Sequence, residues 1–185
     1  MRGSEADRLA TSEDLRILDT GPDEHLDAVC RLAADSFRVP VVAVTFMNER
    51  EVSLIACHGG DATCLKRDEA FCDHVAHGHS GRAFVALDLA RDIRFASNPL
   101  VIGEPHLRFY AAVPIARRPG EDPGTFCIMD TVPRSDFSEA EIRRLEAFAR
   151  VVTAHLRWHD TARSREAELQ EHGRMSAMLH ERDAP

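Results

Sequence analysis

The side chains with the clearest chemical potential lie between residues 57 and 79. Cys72 follows Phe71 on a short stretch with helical spacing, and a helix N-terminus there would favour the thiolate. That chemistry would suit redox sensing or covalent attachment of a chromophore; the alternative is a buried, inert thiol that fills core. His74, His77 and His79 stand near Cys57, His58 and Cys64 in sequence. They supply nitrogen and sulfur donors, but their spacing fits no standard metal site, so no metal is expected. Asp88, at the end of one strand candidate, and Tyr110, on another, are placed to hydrogen-bond a polar ligand or to satisfy loop backbone. Arg94 and Arg108 are available to an anion. Gly59 and Gly60, Gly103, and the turn from Gly120 to Gly124 lack the strand, Gly-rich loop and helix order of a phosphate site. Neither a Ser/His/Asp order nor an HExxH motif is present, so no catalytic residue is assigned and the chain is read as non-enzymatic.

The elements that must position these residues fit one domain. The chain has 185 residues, 44% hydrophobic and 29% charged, within the size at which a single core closes. Its formal charge of -8 repels the phosphate backbone, which argues against nucleic-acid binding. No apolar run nears the roughly 20 residues needed to cross a bilayer. With an odd five cysteines and no CxxC pair, reduced thiols and a cytoplasmic location are expected.

Leu26, Val29, Cys30, Ala33 and Phe37 recur at helical spacing before Pro40. Val41 to Met47 and Glu51 to Cys57 read as a hairpin turning at Asn48, Glu49 and Arg50, with Val52, Leu54 and Ala56 on one face. An irregular stretch runs to Arg67, and Asp68 is placed to cap a short helix carrying Phe71, Cys72 and Val75. Ala83 to Leu89 reads as a strand, and Asn98 and Pro99 open a short helix that Gly103 ends. Leu107 to Ile115 and Thr125 to Thr131 form the longest hairpin. It carries Leu107, Phe109, Ala111 and Val113 on one face and Tyr110, Ala112 and Pro114 on the other, so both faces are covered. Ser138 and Glu141 make a capping box ahead of Ile142, Leu145, Ala149, Val152 and Leu156. From Arg157 the helix has little to bury and is expected to project or to pair with a second copy.

An ordered series of local motifs adds to this pattern. It comprises Ile17 to Thr20, Ala70-Phe71-Cys72, Asp92 to Val101, Leu107 to Ala111, and Gly124 to Thr131 with Pro133 and Arg134. In these the chain resembles a GAF domain, of the type found upstream of bacterial histidine kinases and diguanylate cyclases. The resemblance spans about residues 15–156, leaving 1–14 as an N-terminal segment and 157–185 as a helical extension. It implies an α+β fold: a central antiparallel β-sheet with the terminal helices on one face, short helices and loops over a ligand pocket on the other, and a long C-terminal helix.

Carried over by position, the implied pocket residues are Phe71, Cys72, Val75, Asp88, Phe95, Leu100, Tyr110 and Pro114. The implied function is sensory: a small molecule in that pocket, and a signal passed along the C-terminal helix of a homodimer to a kinase or cyclase. The ligand and any cofactor stay open, since one fold hosts many. Two features depart from the family pattern. The second strand lacks the large aromatics usual there, and no output domain follows, so the chain is read as a stand-alone module or a fragment. An alternative within the same fold is a thiol enzyme of the free methionine sulfoxide reductase type, using Cys72 with Cys64 or Cys57, although that branch's three-cysteine pattern is absent. A third reading is a ligand-free dimerisation scaffold.

Overall fold

The computed structural model describes residues 23–47, 51–60, 64–67, 70–72, 74–75, 82–116 and 124–182, with backbone alone at 64, 163, 167, 173 and 175–182. Several expectations lie outside that set: the 1–14 segment, the Ile17 to Thr20 motif, the turn at Asn48 to Arg50, the Asp68 cap, His77 and His79, and the loop 117–123.

Helix α1 spans Glu24–Phe37. The Asp23 carboxylate accepts from the backbone N–H groups of His25 and Leu26, and Arg38 in the left-handed region closes the helix. Six strands follow: β1 Val41–Met47, β2 Glu51–His58, β3 Cys64–Lys66, β4 Phe84–Ala86, β5 Phe109–Ile115 and β6 Gly124–Asp130. They form one sheet in the order β3-β2-β1-β6-β5-β4, with every pair antiparallel. A 3-10 turn at Leu89–Arg91 and helix α2, Pro99–Ile102, lie between β4 and β5. Helix α3 runs from Glu139 to Arg182.

The strands alternate between two apolar layers, as the side-chain period of two requires. Phe109, Ala111, Val113, Phe126 and Ile128 join Leu26, Cys30, Ala33 and Phe37 of α1 and Leu145, Ala149, Val152 and Leu156 of α3 in one cluster. The opposite, distal side carries Ala43, Tyr110, Ala112 and Cys127 beneath Phe71, Val75, Leu89, Phe95 and Val101. Both end helices therefore cover one face, and short helical turns and loops cover the other.

Four local readings need correction. β2 does not keep Val52, Leu54 and Ala56 on one face: the β1–β2 register shifts between Val44 and Thr45, leaving Ile55 unpaired. Leu54 then faces the distal cluster and Ala56 the helices, because a bulge reverses the alternation downstream of it. The stretch before Arg67 contains a strand, β3, that adds to the β2 edge. β4 ends at Ala86 because Asp88 turns the chain by accepting from the Ala90 N–H. Leu107 precedes β5; its N–H bonds the Leu100 carbonyl and its side chain packs in the distal cluster, not with Phe109.

The helix ends follow the expected chemistry. Asn98 accepts from the Leu100 N–H at 2.9 Å, with Pro99 in the first turn, and the Gly103 N–H bonds the Pro99 carbonyl. Ser138 and Glu141 satisfy each other's backbone donors at 2.8 and 3.3 Å, which removes two orphan N–H groups from the start of α3. Arg134 holds the helix layer together. It donates to the Phe37 carbonyl at 2.6 Å, lies 4.5 Å over the Phe109 ring and pairs with Glu141. No described helix is long and apolar enough to cross a membrane.

Candidate functional site

The distal face has a floor of small side chains. Ala43, Thr45, Ala112, Thr125 and Cys127 are all buried there, on neighbouring positions of β1, β5 and β6. Large side chains descend onto this floor. The Phe71 ring lies 5.1 Å from Tyr110 and 5.4 Å from Phe95, and Phe84 lies 5.9 Å from Phe95. The centroid spacings fall in the range of favourable edge and tilted aromatic pairs. His74 closes the group edge-on to Phe84 and Phe95 and meets Arg94 at 3.1 Å.

Of the eight pocket positions inferred from sequence, Phe71, Val75, Phe95 and Tyr110 are buried in this cluster and Leu100 packs on its margin. Cys72 joins it through sulfur, as described below. Asp88 stands at the edge with its carboxylate engaged: Arg108 donates to both oxygens, at 2.8 and 2.7 Å. That guanidinium, against some burial, holds the Asp88 carboxyl below the usual carboxylate range. Pro114 is half-buried opposite Thr125 at the far end of β5, outside the aromatic cluster. Arg94 is likewise committed, to Asp92, at 2.9 and 2.6 Å.

Cys72 has the most unusual surroundings. Its sulfur is buried and accepts from Thr45 Oγ1 at 3.4 Å and from the Tyr110 hydroxyl at 3.6 Å. Thr45 and Thr125 share a 2.8 Å hydrogen bond across the β1–β6 pair. The Cys127 thiol, followed by Thr125, Thr45 and Tyr110, pulls the Cys72 thiol down to about 6 against its burial. Cys127, whose thiol donates to the Ala43 carbonyl at 3.6 Å, moves the opposite way, pushed up by the neighbouring Cys72 and by burial. The opposite directions belong to one interacting pair of thiols. Cys30, packed among apolar side chains in the helix layer, shows the contrast: burial pushes its thiol up to about 12.

Sequence reasoning singled out Cys72 but not its companions. Thr45, Thr125 and Cys127 are the polar members of the buried stretches of β1 and β6, on alternate positions that face the same way. That parity was the available signal. The thiol expected to partner Cys72 was Cys64 or Cys57; the Cys57 sulfur instead points to the His58 carbonyl at 3.9 Å, and the Cys64 side chain lies outside the described residues.

With this geometry in view, the family can be stated: the GAF domain model matches residues 21–156. The chain is a GAF domain. Over 152 residues it is 32% identical to a cyclic di-GMP phosphodiesterase of Pseudomonas aeruginosa, an alignment that covers 82% of the chain and 26% of that protein. The chain therefore spans about a quarter of the length of the curated relative it matches. Among solved structures, the GAF domain of an Acinetobacter phosphoenolpyruvate-protein phosphotransferase aligns with a TM-score of 0.59 at 20% identity, covering 86% of this chain and 97% of that one. A type II free methionine-R-sulfoxide reductase from Thermoplasma acidophilum aligns with a TM-score of 0.55 at 16% identity, covering 71% and 89%. At such identities the likeness is one of fold. The GAF domain described here shares it with proteins of quite different chemistry.

Proposed function

We propose that this GAF domain is a non-enzymatic, cytoplasmic sensory module of bacterial signal transduction. In this reading a small ligand occupies the distal face among Phe71, Cys72, Val75, Asp88, Phe95, Leu100, Tyr110 and Pro114. Occupancy is passed to a downstream kinase, cyclase or phosphodiesterase through α3 in a homodimer. The observation that carries it is that β5 and β6 serve both layers at once. Tyr110, Ala112 and Cys127 face the distal cluster, and Phe109, Ala111 and Ile128 face the end helices. Any rearrangement of the roof of Phe71 and Phe95 loads the same strands on which α3 rests, and close-packed layers transmit displacement. Beyond Leu156, residues 157–182 of α3 extend roughly 39 Å at 1.5 Å per residue. Val151 and Trp158 are 55% and 68% exposed, one heptad apart, which gives a second copy of the helix an apolar line to pair with.

Native mass spectrometry of the protein purified under mild conditions tests this reading. The expected result is a dimer that retains a non-covalent small molecule. A monomer with no added mass across the concentration range overturns it.

A second reading has its own support in the Cys72–Cys127 pair. As a thiol enzyme, the Cys72 thiolate would take the oxygen of a sulfoxide, giving a thioether and a sulfenic acid. The Cys127 thiol would then displace water from that sulfenic acid to form a disulfide. One sulfoxide is reduced as two thiols are oxidised, and an external thiol reductant resets the pair. Turnover of free methionine sulfoxide that is lost in Cys72→Ser would favour this reading; no turnover in the wild type removes it.

A further inference from the structure

A second cluster of metal-competent side chains lies far from the distal face, where the two end helices meet. Asp23, the N-cap of α1, uses one carboxylate oxygen to hold the His25 and Leu26 N–H groups. Its other oxygen lies 2.7 Å from His155 Nε2 on α3. His159, one turn further along α3, places its ring 4.4 Å from that of His155. One donor atom from each of Asp23, His155 and His159 lies within 4.8 Å of the others. We propose that these three residues bind a divalent transition-metal ion, with Zn2+ as the physiological occupant.

Three features favour an ion over a simple hydrogen-bonded tether. Histidines at i and i+4 share one helix face, the arrangement in which a helix presents two imidazoles to one zinc. The carboxylate is oriented by its own backbone hydrogen bonds, as metal ligands commonly are. A tether needs only Asp23 and His155, whereas a cation would also engage His159, whose ring already lies against that of His155. Two imidazoles and one carboxylate suit zinc, nickel or copper rather than magnesium or calcium. Closing the donors around zinc, at bonds of about 2.0–2.2 Å, requires rotation of the half-buried His159 ring. Water completes the coordination, and His25, whose ring lies 5.5 Å from His155, flanks the open side.

The site flanks Leu156, the last buried residue of α3 among those whose burial is described, where the helix leaves the domain. An ion there would pin α3 to α1 at its exit. That consequence rests on the signalling role proposed above; the binding itself does not.

Isothermal titration of the full chain with ZnCl2, in reductant that does not chelate zinc, tests the site. Trp158, the sole tryptophan, lies 5.3 Å from the His159 ring, so Cu2+ quenching of its fluorescence reports the same place. The expected result is saturable binding of one Zn2+ per chain, weakened at least tenfold in His159→Ala and His159→Gln and unchanged when His77 and His79 are replaced by alanine. Zn2+ should also raise the melting temperature of the wild type but not of either His159 variant. These variants keep the Asp23–His155 bond, and their metal-free melting temperature should match the wild type. Absence of saturable binding, or binding that survives both His159 substitutions, overturns the proposal.

Discussion

Thr45→Val removes one hydroxyl from the Cys72 cage while preserving side-chain shape. The cage holds the Cys72 thiol down to about 6, well below the ordinary thiol range. Four donors supply that against burial: Cys127, Thr125, Thr45 and Tyr110. A single buried hydrogen bond is worth about 1 kcal/mol. Loss of the Thr45 hydroxyl should raise the Cys72 midpoint by about one pH unit, and Tyr110→Phe should do the same. The assay is thiolate ultraviolet absorbance against pH under reducing conditions, with Cys72→Ser defining the signal.

Linkage gives a second readout. A depressed native thiol contributes stability that is complete above its unfolded value near 9 and is lost as pH falls through about 6. Cys127, raised in the native state, contributes below 9 and loses that contribution as pH rises further. Urea stability attributable to the pair should therefore peak near pH 9 and flatten in Cys72→Ser. Midpoints that stay put in both hydroxyl variants, or an early thiolate signal that survives Cys72→Ser, would refute the cage argument.

Three further outcomes concern the scaffold. Leu145→Ala, at a fully buried position of α3, should cost about 2–5 kcal/mol in denaturant unfolding. Ser138→Ala opens the capping box and should cost about 1 kcal/mol, visible as a small drop in melting temperature. Gly59 has φ of 78° and an added Cβ would collide with the Pro40 carbonyl oxygen. Gly59→Ala should therefore destabilise by more than the roughly 1 kcal/mol of its backbone strain alone, again read by denaturant unfolding.

The architecture was legible in sequence because its signals are local and periodic. The α1 stripe, the alternation of β5 and β6, the Asn98–Pro99 start and the Ser138–Glu141 box each depend on residues a few positions apart. The misread pieces depend on partners distant in the chain. Nothing near Ile55 announces a bulge, since the register shift is set by β1. Leu107 continues the period of β5, yet its N–H is claimed by the Leu100 carbonyl.

The candidate site divides along the same line. Phe71, Phe95 and Tyr110 came from the resemblance, position by position, and their rings lie together on the distal face. Asp88 is committed by Arg108 and by its own turn. The Cys72–Cys127 pair and the Asp23–His155 contact join residues brought together only by the fold, the latter 132 positions apart. The His155–His159 spacing was a visible signal without a visible third ligand.

The central claim is that the distal cluster and α3 are coupled through the shared strands. Hydrogen exchange along α3, compared between the wild type and Phe95→Leu with the β1 amides as internal reference, tests it most directly. The account predicts altered protection between Leu145 and Leu156, although Phe95 packs on the opposite side of the sheet. Altered protection confined to the distal segments, with α3 unchanged, would contradict it.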